Sequence, residues 1–398
     1  MSPRRLLAIL GGVVAALVLF VGGVMVGGHA DATGLTRLGD PVRSLLLGDS
    51  GQDLSAQVLD ALRRDYYEPI DVEKLQRSSA DAMVAALGDP YTDYLDPDEL
   101  EALRQRNEGA YFGVGLQVAQ RDEDVVITRV FPDSPASKVD VRVGDRITSV
   151  AGADTEGKTL EEVVGAIRGP EGTTVDIGVT TGNGAPRPLS LKRARIRVPA
   201  VESRIEKAGG ERIGYAHLAQ FTRGAADALG ETIAELRDKK VTALVLDLRG
   251  DPGGLVTEAV GVAGVFLPED SVVVVTEGLH SPRQTFRTDR EPVAGDLPLI
   301  VLVDRGSASA SEIVAGALRD AKRSTLVGER TFGKALVQST VPLRDGGALK
   351  LTTARYLTPS GFDLAKRGLP PSVKIVDDPS TVPDEALRRA LTLAAAAG

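Results

Sequence analysis

One serine in this chain stands where the sequence favours a reactive hydroxyl. Ser309 follows the apolar run 299–303 and a turn of small residues, and it precedes the run 310–321, whose apolar residues recur at helical spacing. A serine there lies at the carboxyl end of a strand and the amino end of a helix, where α/β sheets place ligand sites. Because the first amides of a helix have no partner inside the helix, they can hold an oxyanion. The position therefore suits a hydroxyl that attacks a carbonyl group.

A nucleophilic serine needs a base, and a lysine is the candidate that remains. His29, His217 and His280 stand far apart, which disfavours a Ser-His-Asp arrangement and a histidine-built metal site. Lys334 follows a strand-like run and has apolar and glycine neighbours that could desolvate its amine. Burial can lower a lysine pKa from about 10.4 toward about 7–8, which leaves enough neutral amine to accept a proton. We expect Ser309 as nucleophile, Lys334 as general base, and neither metal nor cofactor.

A glycine-rich turn is expected to complete the oxyanion site. The segment DLRGDPGGL ends an apolar run in glycines, which permit a close backbone approach. We expect one donor to be the amide of Ala310 and the other to be the amide of Gly253 or Gly254. Each assignment has a plainer alternative, since a serine before a helix is commonly a cap, a lysine a solvated charge and a glycine pair a turn. Glu312 and Asp320, in the same helix, are expected to be surface charges.

The pattern of the sequence divides the chain into the elements that must position these residues. Residues 31–108 have helical periodicity, residues 109–195 have short alternating runs typical of a compact β-rich domain, and residues 196–378 alternate apolar strands with helices. The last pattern predicts an α/β fold with a largely parallel sheet and helices packed on it. An Ala- and Leu-rich tail, 379–398, predicts a terminal helix.

Composition excludes several classes of function. The net charge of −8 disfavours nucleic acid as a partner, because binding a polyanion requires a basic surface. The chain has no cysteine, which removes disulfides, thiolate catalysis and cysteine-bound zinc. Its length of 398 residues predicts two or three domains.

The amino-terminal residues 1–30 predict a location. Arg4 and Arg5 precede an uncharged stretch, 6–28, that is long enough for a bilayer, which needs roughly 20 apolar residues. We expect a single-pass anchor in the cytoplasmic membrane, with the catalytic part extracytoplasmic. A cleaved signal peptide is the alternative, although its apolar region normally has about 7–15 residues.

Motifs over residues 55–375, approximately, carry a family resemblance. Ser309 lies within GSASASEI and Lys334 within GERTFGKALVQ, and these accompany DLRGDPGGL, GDPYTDYLDPDEL, YFGVGL and LTTARYLTPSG. Together they resemble the carboxy-terminal processing (tail-specific) serine protease family. The resemblance implies that Ser309 is the nucleophile, that Lys334 is the base and that Gln338 orients the lysine amine. For Gln338 the alternative is a polar residue that alternates along a half-exposed strand. The layered core is similar to the crotonase-like (ClpP/crotonase) architecture.

The β-rich region is similar to a PDZ domain, the peptide-binding module of that family. In this resemblance YFGVGL matches the loop whose backbone amides hold a terminal carboxylate. The implied peptide-binding residues are Tyr111, Phe112, Gly113, Val114, Gly115 and Leu116. Arg168, at the end of the expected PDZ helix, either signals ligand occupancy to the protease core or complements the helix dipole.

Three functions remain open on these grounds. The leading hypothesis is a serine endopeptidase that recognises C-terminal tails of extracytoplasmic proteins through its PDZ domain and cleaves them. The second is a membrane-tethered PDZ adaptor whose protease-like core is inactive, and the third is an α/β enzyme that acts on small acyl substrates. By family similarity, the helical module before Gly109 is expected to pair between subunits and form a homo-oligomer.

Overall fold

The computed structural model describes most of the chain after residue 70. The described residues are 71–182, 184–365, 367–376 and 384–398. The expected anchor, 1–30, and the first part of the helical module, 31–70, lie outside them. Within these ranges, no helix combines the length and the apolar character that crossing a membrane requires.

The chain forms two compact units, Met1–Asp89 and Pro90–Gly398. The described part of the first unit contains helix α1 (Val72–Ala85). The carboxylate of Asp71 accepts a hydrogen bond from the backbone N–H of Lys74 at 3.0 Å, which caps this helix.

The second unit begins with a short strand and a helix, followed by the β-rich region. Helix α2 starts with Pro97 after Asp96, whose carboxylate accepts the amides of Asp98 and Glu99 at 2.9 Å, as the proline and acids of this segment predict. The elements are β1 (Asp93–Leu95), α2 (Pro97–Asn107), β2 (Ala110–Gly113), β3 (Leu116–Arg121), β4 (Asp124–Val130), β5 (Arg146–Val150), β6 (Ala153–Asp154), α3 (Leu160–Ile167), β7 (Thr174–Thr180), β8 (Arg187–Lys192) and β9 (Ala194–Arg197).

Strands of the β-rich region form an antiparallel sheet in the order β3-β4-β5-β7-β8, with β6 on β5 and a separate β2-β9 pair. Helix α3 packs on this sheet through Val163 and Ile167, which are buried with Ile127 and Ile147. Thr159 and Glu162 form a capping box that starts α3, and this helix ends at its C-cap Arg168, where the expected PDZ helix ends.

The rest of the second unit alternates strands and helices, as predicted. Its elements are β10 (Val201–Ala208), β11 (Glu211–Leu218), α4 (Ala225–Asp238), β12 (Ala243–Asp247), α5 (Val256–Gly264), β13 (Val272–Glu277), β14 (Gln284–Arg287), β15 (Leu299–Val303), α6 (Ala310–Asp320), β16 (Thr325–Gly328), β17 (Leu336–Pro342), β18 (Ala348–Leu357), β19 (Val373–Lys374) and α7 (Glu385–Ala397).

Two sheets organise these elements. The main sheet has the order β10-β11-β12-β15-β16-β19 and is parallel from β11 to β19, with β10 antiparallel to β11. The second sheet is antiparallel in the order β1-β18-β13-β14, with β17 also paired to β18. Helix α7 covers one face of the main sheet through Ala386, Ala390 and Ala394. Helix α6 packs against α5, β16 and β13, so the chain around it is layered.

Helix α6 is enclosed, so Glu312 does not lie on the surface as expected. Residues 310–318 are all buried, and Ser311 and Glu312 have no exposed surface. The reason is that α5, β13 and β16 surround α6, and the small alanine and glycine residues of α6 allow them to pack close to it. A Cβ added to Gly316 would lie 2.9 Å from Cγ2 of Thr358, so the neighbouring chain approaches this helix closely.

Candidate active site

Ser309 adopts an unusual backbone conformation at the start of α6. Its φ is 55° and its ψ is −113°, a region that residues with a side chain rarely occupy. Such a conformation costs on the order of 1–3 kcal/mol and persists when the surrounding structure enforces it. The enforcing neighbour is the turn after β12, because a Cβ added to Gly253 would lie 2.8 Å from both Cβ of Ser309 and N of Ala310. Gly253 therefore allows the turn after β12 to approach the start of α6 closely at Ser309.

Lys334 lies just before β17, with its amine half-buried beside an amide and an aromatic ring. Its Nζ donates a hydrogen bond to Oε1 of Gln338 at 3.0 Å and lies 5.1 Å from the ring centroid of Tyr91. The amide of Gln338 in turn donates to the carbonyl oxygen of Tyr91, which orients its oxygen toward the amine. Burial lowers the pKa of Lys334, and the positive charge of Lys350 lowers it further.

A buried carboxylate joins the serine and the lysine through their backbones. Glu312 accepts hydrogen bonds from the N–H of Ser309 at 3.0 Å, of Gly333 at 2.8 Å and of Lys334 at 2.9 Å, and from the hydroxyl of Thr331. The prediction of a surface charge is therefore wrong for Glu312. The Ser-x-x-Glu spacing, typical of a capping box, is the sequence signal that could have found it.

The side chains of Ser309 and Lys334 are not hydrogen-bonded to each other within the part of the chain described here. Tyr356 lies beside both: its hydroxyl donates to the carbonyl oxygen of Lys334 and also interacts with the side chain of Ser309. Burial first and the charge of Glu312 second raise the pKa of Tyr356 well above its ordinary value, against a smaller opposing effect of Ser309. Tyr356 is thus a neutral donor that fixes the main chain at the lysine.

The backbone amides near Ser309 differ in their partners. The N–H of Gly253 donates to Oδ1 of Asp251 at 2.8 Å, so it is already engaged. Among the described residues, the N–H groups of Ala310 and Gly254 have no protein acceptor. Of the two candidate glycines, Gly254 is therefore the one whose N–H is free, as that of Ala310 is.

The sequence of this chain is similar to those of known proteases. Residues 212–375 match peptidase family S41, and residues 101–180 match the PDZ domain. A carboxy-terminal-processing protease of Bartonella bacilliformis is 36% identical over 328 residues, which cover 81% of this chain and 74% of that protein. The chain belongs to peptidase family S41. The predicted family and its PDZ domain are confirmed.

Two further relatives show how much of this S41 peptidase is similar to known proteins. A protein of Staphylococcus haemolyticus named "Probable CtpA-like serine protease" is 36% identical over 315 residues, which cover 79% of this chain. The chain spans 62% of the length of that relative. The solved structure of a photosystem II D1 C-terminal processing protease is 33% identical, covers 85% of this chain and 90% of its own, and gives a TM-score of 0.52. The predicted α/β peptidase fold with a PDZ domain is confirmed.

The PDZ region of this S41 peptidase borders a cavity of about 490 Å³. Four of the six predicted peptide-binding residues line it, and they are Tyr111, Gly113, Val114 and Leu116. Phe112 and Gly115 do not line it, and Gly115 instead packs on Ser134, which an added Cβ would meet at 2.1 Å. Glu202 of β10 and His217 of β11 also line the cavity, so it lies between the PDZ region and the main sheet.

Arg168 lies at the end of α3 and lines the same cavity. Its guanidinium carbon is 5.4 Å from the ring centroid of Tyr111, a contact within the PDZ region. Burial raises the pKa of Tyr111 to about 12, against the opposing charge of Arg168. A regulatory role for Arg168 stays a prediction.

A further polar network supports the turn after β12, and the sequence interpretation missed it. Arg249 binds Oδ2 of Asp247 at 2.6 Å and Oδ2 of Asp384 at 2.8 Å, and Tyr215 donates to Asp247 at 2.8 Å. Burial, followed by Asp247, raises the pKa of Tyr215 to about 12. Asp384 also caps α7 by accepting the N–H of Leu387 at 2.7 Å. The network therefore ties this turn to the last helix.

Proposed function

We propose that this chain is a serine endopeptidase that cleaves proteins near their carboxyl termini, with Ser309 as nucleophile and Lys334 as general base. The observation that carries the proposal is the environment of Lys334. Its amine is half-buried, has a lowered pKa and donates to Gln338, while Glu312 ties its backbone to that of Ser309. Acyl transfer by a Ser-Lys pair requires a lysine whose pKa is lowered enough for its amine to accept the serine proton, and the burial of Lys334 acts in that direction.

In the proposed reaction, the Ser309 hydroxyl transfers its proton to Nζ of Lys334 as Oγ bonds to the substrate carbonyl carbon. The oxyanion then accepts the N–H groups of Ala310 and Gly254. Lys334 returns the proton to the leaving amine as the peptide C–N bond breaks, and water hydrolyses the acyl-enzyme. Catalytic hydrogen bonds often tighten only when substrate binds, and we assign the Ser309 to Lys334 contact to the substrate-bound form.

The PDZ region supports selectivity for tails in this proposal. An extended tail would add to the edge of the PDZ sheet and place its carboxylate at the backbone of Gly113 and Val114. Side chains of Tyr111 and Leu116 line the cavity that would receive the terminal residues. Arg168, whose guanidinium lies over the ring of Tyr111, would change its contacts when the cavity is filled.

The proposal also covers location and assembly. Residues 1–30 would anchor the protein in the cytoplasmic membrane by a single pass, so that the catalytic part and its substrates are extracytoplasmic. The helical module, 31–108, would pair subunits into a homo-oligomer, and the core would be crotonase-like in its layering. The support for the anchor is the charge and apolar pattern of the sequence.

The test combines covalent labelling with a tail-dependent assay. A fluorophosphonate probe is expected to label the wild type at Ser309 and not to label Ser309→Ala. An unstructured protein substrate is then compared with the same substrate carrying a replaced or amidated carboxyl terminus. Faster degradation of the first supports tail recognition.

Other outcomes would contradict parts of the proposal. Degradation at equal rates would remove tail selectivity while leaving the peptidase. Labelling of Ser309 without cleavage of any peptide, together with turnover of small acyl esters, would remove the peptidase itself. No labelling at all would favour a PDZ adaptor with an inactive core.

A further inference from the structure

The turn after β12 contains a buried carboxyl group that the proposed reaction does not use. Asp251 has no exposed surface. Its Oδ1 accepts the N–H of Gly253 at 2.8 Å. Its Oδ2 is buried and has no hydrogen-bond partner among the described residues. A buried carboxylate with one oxygen unpaired is strongly disfavoured, so the neutral acid fits this place better.

The backbone of Asp251 ties the turn to both sides of the proposed nucleophile. Its carbonyl oxygen accepts the N–H of Ala308 at 3.0 Å and the hydroxyl of Ser311 at 2.9 Å. Ala308 precedes Ser309, and Ser311 follows it by two residues. A shift of Asp251 would therefore move Ser309 through hydrogen bonds to the residues on either side of it.

The groups that face the carboxyl are few and neutral. The N–H of Gly253 comes from its own turn and donates to the carboxyl. The hydroxyl of Ser311 comes from α6; it donates to the backbone carbonyl oxygen of Asp251 and also acts on the carboxyl. Burial raises the pKa of Asp251 to about 7, and those two groups oppose the rise. Glu312, the next residue on α6, directs its carboxylate to its own donors at Ser309, Thr331, Gly333 and Lys334. No charged side chain of the described residues contributes to the pKa of Asp251.

We propose that Asp251 is a positioning residue that acts as a neutral acid. Its Oδ1 engages the N–H of Gly253, which leaves the N–H of Gly254 for the oxyanion. When Asp251 loses its proton, a negative charge appears in the turn that must hold an oxyanion, and the rate falls. The inference rests on the proposed peptidase function and adds a second titration to it. Lys334 must be deprotonated, and Asp251 must stay protonated.

The test uses a substitution that keeps the hydrogen bond and removes the charge. Asp251→Asn retains an oxygen for the N–H of Gly253 and cannot ionise. We expect wild-type kcat/KM to pass through a maximum between about pH 5 and about pH 10, with a falling alkaline limb. In Asp251→Asn, the alkaline limb is lost, and the rates below the maximum stay within about threefold of wild type, a difference of under 1 kcal/mol.

Three kinetic results would overturn the proposal. They are a wild-type profile without an alkaline limb, a limb that persists unchanged in Asp251→Asn, and a folded Asp251→Asn protein that is inactive at every pH. Asp270→Asn is the matched control, because the Asp270 side chain is 83% exposed and its loss of charge leaves the profile unchanged.

Thermal unfolding gives a readout that does not depend on catalysis. The folded state raises the Asp251 pKa from 3.8 to about 7, so folding retains a proton that the unfolded chain releases. Stability from this group is therefore present at low pH and is lost as pH rises from about 4 to about 7. In a Ser309→Ala background, the Tm gain from Asp251→Asn should grow across that window and then level off.

The two readouts separate the inference from the function on which it rests. A Tm difference that does not change with pH overturns the neutral acid at Asp251. A Tm difference that grows as expected, in a protein that cleaves no peptide in either form, counts against the peptidase function and upholds the protonated Asp251.

Discussion

Glu312 accepts a hydrogen bond from the backbone N–H of Lys334 at 2.9 Å, and this contact joins helix α6 to the loop that precedes β17. The same Oε2 atom accepts the N–H of Ser309 at 3.0 Å. The two proposed catalytic residues are thus positioned by one fully buried carboxylate rather than by direct contact of their side chains. Because the bonds are to backbone atoms, they fix where the two side chains start, whereas the Lys334 amine is held separately by Gln338.

We expect Glu312→Gln to lower kcat by about 100-fold, because small misplacements of reacting groups cost that much. The amide would point its own N–H₂ at some of the four donors and leave them unpaired, which should lower the free energy of unfolding by about 2–4 kcal/mol. Steady-state kinetics and urea unfolding measure the two effects. Glu235→Gln on α4 is the control, since Glu235 is exposed and pairs with Lys239 at 3.7 Å. Wild-type kcat in Glu312→Gln would show that the carboxylate has no positioning role.

Lys334→Met is expected to abolish cleavage and to raise the Tm near neutral pH. The folded state lowers the pKa of Lys334, so it disfavours the ammonium form. The folded state therefore loses stability at Lys334 as pH falls below the ordinary lysine pKa, and replacing the amine by Met removes this loss. The Tm difference between variant and wild type should therefore shrink toward alkaline pH. A variant less stable than wild type at pH 7 would indicate that the amine is charged and well solvated.

Gln338→Glu is expected to move the rising limb of the pH profile of kcat/KM to higher pH. A carboxylate placed 3.0 Å from Nζ would favour the ammonium form and raise the pKa of Lys334. The rate at high pH should recover much of the wild-type value, whereas the rate near pH 6 should fall about tenfold for each unit of pKa shift. Gln284→Glu, on the exposed strand β14, is the control. An unshifted profile would mean that Gln338 does not contact the amine during catalysis.

Gly253→Ala is expected to destabilise the fold and inactivate the enzyme. Its Cβ would lie 2.7 Å from the carbonyl oxygen of Ala308 and 2.8 Å from N of Ala310, so the turn and the helix start must separate. We expect a loss of about 1–3 kcal/mol from this overpacking, added to the cost of a positive φ. Gly250→Ala is the matched control, since Gly250 has a φ of 68° and open space around its Cβ position. Comparable Tm and kcat in the two variants would contradict the close approach.

Much of this architecture could be predicted from the sequence. The run that precedes Ser309 is strand β15, and α6 begins at Ala310 as its apolar spacing indicates. The contact between Lys334 and Gln338, implied by the family resemblance, is present in the structure. Local patterns succeed here because each depends on residues close together in the chain.

Other features of the site could not be predicted from local patterns. Periodicity reports which side of a helix is buried only when the other side faces solvent, and α6 is enclosed by α5, β13 and β16. Glu312 therefore looked like a surface charge. The choice between Gly253 and Gly254 depends on which amide Asp251 already binds, and that is decided by the tertiary fold. The bonds of Arg249 to Asp247 and Asp384 likewise join residues far apart in the chain.

The left-handed backbone of Ser309, at φ 55°, restricts what else could stand at this position. A β-branched side chain is strongly disfavoured in that conformation, because its second branch crowds the neighbouring carbonyl. Threonine, the other hydroxyl residue used as a nucleophile in proteases, is therefore a poor substitute here, although its chemistry is equivalent. Glycine is the residue that adopts this conformation at the lowest cost, so a serine here carries a backbone strain that a glycine would not.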